Sequence, residues 1–115
     1  IPYAQFSTEM RSGKIIKIDD GFTKLLGYTE DDVKNGLVFK QFVPDLEYSE
    51  IIAELREQFI EKKYACYRHE VVSKTGEIRM IVAFFTIQNK LLNGHRVLEV
   101  SVADITDYTH FPETK

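Results

Sequence analysis

Apolar and polar residues alternate along Tyr3-Ala4-Gln5-Phe6-Ser7-Thr8, and after Ser12-Gly13 comes the apolar run Ile15-Ile16-Lys17-Ile18. This predicts two short strands joined by a tight turn, a hairpin. Asp19 and Asp20 then offer acceptors for the free amides of a short helix over 21–26, which Gly27 can close in a left-handed conformation. Phe22, Leu25 and Leu26 share the buried face of that helix. Thr29-Glu30-Asp31-Asp32 resembles a capping box with Asp in place of Glu, and Tyr28 and Val33 stand at staple positions. A second short helix therefore follows, closed by Asn35-Gly36. The apolar stretch 37–43 is brief and ends before Pro44, which predicts an irregular helical turn.

From 46 to about 62, Tyr48, Ile51, Ile52, Leu55 and Phe59 recur at helical spacing, while Glu47, Glu50, Glu54, Glu57 and Glu61 fall elsewhere. This is the one long helix, and its acidic residues read as the solvated side. The period then becomes strand-like over 64–73, 77–88 and 96–105, with turns at Lys74-Thr75-Gly76 and Asn93-Gly94. Three consecutive antiparallel strands result. The middle one is nearly continuous in apolar residues over 78–87, so both of its faces must be covered. One face meets the helices and the other needs a partner. Two strands, a helical block and three strands make an α+β arrangement, with helices to one side of an antiparallel sheet.

At 115 residues, with 43% hydrophobic and 29% charged residues, the chain has room for one folded domain and is not a disordered sequence. A formal net charge of −3 leaves no basic surplus for a phosphate backbone, which argues against nucleic acid as a partner. The longest apolar run, 80–85, is far too short to span a bilayer, and the N-terminus lacks a signal-peptide pattern. A lone cysteine, Cys66, can form neither an internal disulfide nor a cysteine cluster, which favours the cytosol. Because the chain opens on Ile rather than Met, it reads as a piece of something longer.

The order of elements, with Gly13-Lys14-Ile15-Ile16, Asp19-Asp20-Gly21-Phe22, Leu25-Leu26-Gly27-Tyr28-Thr29, Val43-Pro44-Asp45, Lys74-Thr75-Gly76-Glu77 and Asp104-Ile105-Thr106, resembles a PAS sensor domain over roughly 3–107. The resemblance implies a single PAS-like domain at 1–107, with 108–115 beginning a linker to an effector. It also implies a five-stranded antiparallel sheet in the order 2-1-5-4-3, with helices packed on one face and a pocket between helix and sheet. Such domains sense small molecules, redox state or light, or dimerise, and regulate an attached output such as a diguanylate cyclase or histidine kinase. Asp104-Ile105-Thr106 would be the signal-transfer element. Three positions depart from the family pattern: Asp19 stands where Asn is frequent, Gly21 where Ala is common, and Leu46 where an acidic residue follows Pro-Asp.

Cofactors can be weighed by the residues that mark them in such domains. Haem sensors draw an axial His from the long helix, which has none over 47–62, so haem is disfavoured. Photosensors that attach flavin covalently carry Gly-Arg-Asn-Cys where this chain reads Gly36-Leu37-Val38-Phe39, and redox flavin sensors commonly use a Trp, which is absent. The identity of any ligand stays open. Candidate pocket-lining residues are Phe22, Leu25, Leu26, Phe39, Phe42, Phe59, Tyr67, His69, Met80, Val82 and Phe84, against the alternative of a plain packed core. Tyr67 and His69 would supply polar specificity, and imidazole titrates near neutrality.

Cys66, with Arg68 on its strand face, reads as a redox-sensitive thiol or, more simply, a small half-buried filler. His95 follows a turn and His110 lies in the tail; no His or Cys pair has a metal-ligand spacing. No nucleophile motif, phosphate-binding glycine loop or facing carboxylate pair points to an enzyme. Ile81, Ala83, Phe85, Leu98, Val100 and Val102 are assigned to the far face of the sheet, although alternation alone does not settle which face they take. On that assignment a homodimer forms through this outer face. The competing reading is a protein-interaction scaffold whose interior is filled by its own side chains.

Overall fold

The computed structural model describes residues 1–108, so the linker expected at 108–115 lies almost wholly outside the described residues, as does His110. Strands β1 (Tyr3–Glu9) and β2 (Ile15–Ile18) form the opening hairpin. Helices α1 (Asp20–Leu26) and α2 (Glu30–Lys34), a 3₁₀ turn (Phe39–Phe42) and the long helix α3 (Asp45–Gln58) follow. Strands β3 (Tyr64–Val72), β4 (Ile78–Leu92) and β5 (His95–Asp104) complete the sheet, and a second 3₁₀ turn (Thr106–Tyr108) leaves it. Every pairing is antiparallel, in the order β2-β1-β5-β4-β3. The expected α+β class and strand order are therefore those of the molecule.

The local signals act through identifiable bonds. The Asp19 carboxylate accepts from the Phe22 amide at 2.8 Å and from the Gln5 amide at 3.1 Å, so one side chain caps α1 and ties it to β1. Gly27, at φ 82°, closes α1 with its amide donating to Thr23, a conformation that costs a residue with a Cβ more. The carbonyl of Leu26 then accepts from the Lys74 amide at 2.7 Å, joining the end of α1 to the β3–β4 turn. Gly21 has a different reason: a methyl group there would collide with the Tyr3 carbonyl oxygen, because α1 lies directly against β1. Asp32 accepts from the amide and hydroxyl of Thr29 and pairs with Lys74 Nζ at 3.0 Å. These partners, the Thr29 amide first, hold its carboxyl below the usual carboxylate range.

Two boundaries differ from the sequence pattern by more than two residues. The helix α3 ends at Gln58, short of 62, and the chain then turns so that Lys63 O accepts from the Ile87 amide at 2.8 Å. Strand β4 runs beyond 88 to Leu92, because Asn93 (φ 51°) and Gly94 (φ 82°) both take the positive φ of a two-residue hairpin turn.

Strand parity is the principal correction. Tyr67 pairs with Ala83 and His69 with Ile81, and residues directly opposite one another share a face. His69, Ile81, Ala83 and Phe85 therefore point together at the helices, joined from β5 by Leu98, Val100 and Val102. The set expected on the outer face is thus the inner face. Conversely Met80, Val82 and Phe84, expected to line a pocket, pair with Glu70, Arg68 and Cys66 and lie on the outer face, with Phe84 47% exposed. A strand apolar on both sides carries no internal marker of which side is which; only its register against β3 supplies one.

Candidate functional site

The space around His69, where a pocket was expected, is packed. Phe6, Phe22, Phe39 and Phe42 meet edge to face or stacked at 5.3–6.4 Å between centroids. What stays open among them, His69 and the inner strand residues is about 10 Å³, at most one water's worth. Phe22, Leu25, Leu26 and Phe42 are therefore packing residues around a closed core. His69 belongs with them: it is 3% exposed, and its ring lies 6.3 Å from Phe39, 6.5 Å from Phe85 and 5.9 Å from Tyr67.

The His69 Nδ1 lies 2.8 Å from the Glu70 carbonyl oxygen, which can only accept, so Nδ1 carries the proton. Nε2 is then a buried acceptor with no hydrogen-bond partner among the described residues. Burial pushes the imidazole below its usual pKa, and neither the carbonyl of Glu70 nor the nearby Glu47 offsets this. Glu47 and Glu70 themselves adjoin: their side-chain hydrogen bond, with burial, raises the Glu70 carboxyl above its ordinary range.

A larger cleft opens beside this core. The helix α3 is fastened to the edge strand β3. Gln58 Oε1 accepts from the Cys66 amide and Gln58 Nε2 donates to the Cys66 carbonyl, both at 2.9 Å, and Glu47 Oε1 lies 3.5 Å from the Glu70 amide. Held toward β3, α3 leaves a gap over the β1–β5 side of the inner face, whose floor residues Thr8, Phe85 and Leu98 are themselves buried. The result is a cleft of about 350 Å³, within the range of small-molecule sites. Its walls are Tyr48, Ile52, Leu55, Arg56, Phe59 and Ile60 from the α3 region, Phe39 from the 3₁₀ turn, and Phe85, Leu98, Thr8, Glu9, Met10 and Gly13 from the sheet and first hairpin.

Of the residues expected to line a pocket, Phe39 and Phe59 face this cleft, Phe22, Leu25, Leu26, Phe42 and His69 border the closed core, Tyr67 borders neither, and Met80, Val82 and Phe84 lie on the opposite side of the sheet. Tyr48, Ile52 and Leu55 were visible in the sequence as the apolar stripe of the long helix, but nothing local said that part of the stripe would stay uncovered. Met10 and Arg56 carried no signal.

At the end of β5 the chain is latched. Asp104 is 3% exposed, and its Oδ2 accepts from Arg79 Nε at 2.9 Å and Nη2 at 2.6 Å. Its Oδ1 accepts from the amide of Thr106 at 2.9 Å and from its hydroxyl at 2.6 Å, while Thr106 Oγ1 accepts from the Met80 amide at 2.9 Å. Burial alone would raise the Asp104 carboxyl, but the Thr106 donors and Arg79 outweigh it and hold it below the usual range. The Ile105 amide donates to Met80 O at 2.8 Å. The structure thus brings Asp104, Ile105 and Thr106 together against β4.

The outer face carries the remaining apolar patch. Tyr64 and Phe84 stack at 6.0 Å with 6° between their planes, each about half exposed, beside partly covered Met80, Val82 and Ala103. Cys66 is exposed on this same face.

These features, five antiparallel strands in the order 2-1-5-4-3 with the helices on one face, are the PAS fold. A PAS domain of a protein from Colwellia psychrerythraea superposes with a TM-score of 0.81 at 18% identity, over 93% of this chain and 89% of that one. A PAS domain from a two-component sensor histidine kinase gives 0.71 at 13% identity, over 90% of this chain and 86% of its own. The PAS domain of an HTR-like protein from Haloarcula marismortui gives 0.70 at 18% identity, over 90% and 87%. No protein-family profile and no curated protein sequence matches the chain. Among the described residues no helix is long and apolar enough to cross a membrane, and no group of three or more His, Cys, Asp or Glu could hold a metal ion.

Proposed function

We propose that this chain is a cytosolic sensory module: it binds a small molecule in the cleft beneath α3, pairs with a second copy through its outer sheet face, and regulates an attached histidine kinase or diguanylate cyclase. Its own role is regulatory, with no catalysis. The observation that carries the reading is the 350 Å³ apolar cleft, left open in a fold whose adjoining core is filled. The sensor-kinase origin of a structural neighbour supports the choice of output. Leu98 lines the cleft on the strand that ends at Asp104, so a ligand that repacks β5 can bias the latch and whatever follows it by population shift. The ligand is neither haem nor covalent flavin on this reading, since 47–62 has no His and 36–39 no Cys.

Native mass spectrometry of the freshly purified chain, compared with its denatured mass, tests the reading. Extra mass that disappears on denaturation supports it; a bare dimer that takes up no compound from a small-molecule panel overturns the ligand part. The filled space around His69 favours a second reading, an interaction scaffold without a ligand. That outcome would leave the outer face as the functional surface.

A further inference from the structure

The charged residues of the cleft are unequal. Arg56 lines it from the α3 wall, on the same helical face as Ile52 and Phe59. The helix is rich in Glu, yet the positions three and four away from Arg56 are Ile52, Ala53, Phe59 and Ile60, so the helix gives it no acidic neighbour. Arg56 indeed makes no ion pair among the described residues. Glu9, at the cleft's other wall, accepts from the Ser12 hydroxyl at 2.8 Å, and the Thr8 hydroxyl is turned to the Lys14 carbonyl at 3.1 Å. The cleft thus combines apolar walls with one exposed, unpaired guanidinium at its rim.

Resting on the reading of the cleft as a ligand site, we propose that it takes an apolar monocarboxylate, an alkyl or aryl chain between α3 and the sheet with its carboxylate on Arg56. The tail gains by leaving water, and the head stays at the hydrated rim, where the planar fork of the guanidinium matches a carboxylate. One unpaired cation faces one charge. A phosphate monoester would bring nearly two charges close to Glu9, and a quaternary ammonium would meet Arg56 as a like charge. The cleft, near the lower end of the roughly 300–1,000 Å³ range of ligand sites, suits a medium-length chain rather than a long one.

Isothermal titration of the chain with decanoate, decanol, decyl phosphate and decyltrimethylammonium, each below its micelle concentration, tests this, with methyl resonances of Ile52 and Leu98 reporting the location. Decanoate is expected to bind tightest and to shift those methyls. Arg56→Met should weaken decanoate roughly tenfold and leave decanol unchanged, whereas Glu9→Gln should tighten decanoate. Both positions are at the surface of the cleft, and circular dichroism checks that the variants fold. Decanol or decyl phosphate binding as tightly as decanoate, or Arg56→Met without effect on it, would overturn the carboxylate assignment while leaving the cleft a ligand site. No probe moving the Ile52 and Leu98 methyls would overturn both.

Discussion

Asp104 and His69 are both buried ionisable residues, and their surroundings give them opposite consequences. Asp104 satisfies its carboxylate with Arg79 and Thr106, so Asp104→Ala removes a buried acceptor that the Arg79 guanidinium and the Thr106 amide and hydroxyl share. A stability loss of about 2 kcal/mol is expected, with the fold retained. In a fusion to a kinase or cyclase the regulated change in output should vanish; regulation that persists in the variant would exclude the latch as the exit. Because the folded carboxyl is depressed, its contribution is present above the unfolded value near 4 and is lost as pH falls through the lower folded value.

His69 has a lowered folded pKa, so the unfolded chain binds the proton more readily. Its contribution is complete above the unfolded value of about 6.5 and is lost as pH falls from there toward the folded value. Glu70, raised by Glu47, acts in the opposite sense as pH climbs through the carboxylate range. Thermal unfolding between pH 7 and pH 5 should therefore show a fall in midpoint that His69→Phe reduces. An equal slope in the variant would exclude His69 as its source.

Among the elements, the fastening of α3 to β3 does two things at once. The Gln58 amide occupies both backbone groups of Cys66, covering part of a sheet edge that would otherwise be open to pairing. Gln58→Ala should cost about 1 kcal/mol, accelerate hydrogen exchange at the Cys66 amide and increase aggregation on storage. Unchanged exchange at that amide would show the clamp to be idle in solution. The same fastening opens the cleft. The elements themselves were legible along the chain because capping at Asp19 and Thr29, the glycine stop at Gly27 and the 3.6-residue stripe of α3 are local interactions. The faces of β4 were not, since Met80 to Phe85 is apolar at every position and its orientation comes from pairing with β3 and β5.

On the scale of the whole molecule, the correction of strand parity relocates the expected dimer surface. The patch available to a second copy is Tyr64, Phe84, Val82 and Met80, with the two rings already stacked and therefore costing less order on association. On the proposed pairing through this face, Phe84→Lys should leave a monomer in sedimentation with its fold retained by circular dichroism, because the side chain is half exposed in the single chain. A dimer that survives the substitution would move the interface elsewhere.

The sequence by itself determined the order of elements and the caps and turns that bound them, because each rests on contacts within a few residues; the strand order followed only from the resemblance to the PAS fold. The same resemblance pointed to Asp104, Ile105 and Thr106 as a signal-transfer element, a role that the Asp104→Ala fusion tests. Only the tertiary structure decided that the space around His69 is filled, that a cleft lies instead beneath α3, and that Arg56 stands at its rim with no ion pair among the described residues. Those outcomes depend on where a helix is fastened to a strand distant from it in the fold, and on the register of a strand apolar on both faces. Neither leaves a local signature, since a packed core and an open apolar cleft are built from the same residues.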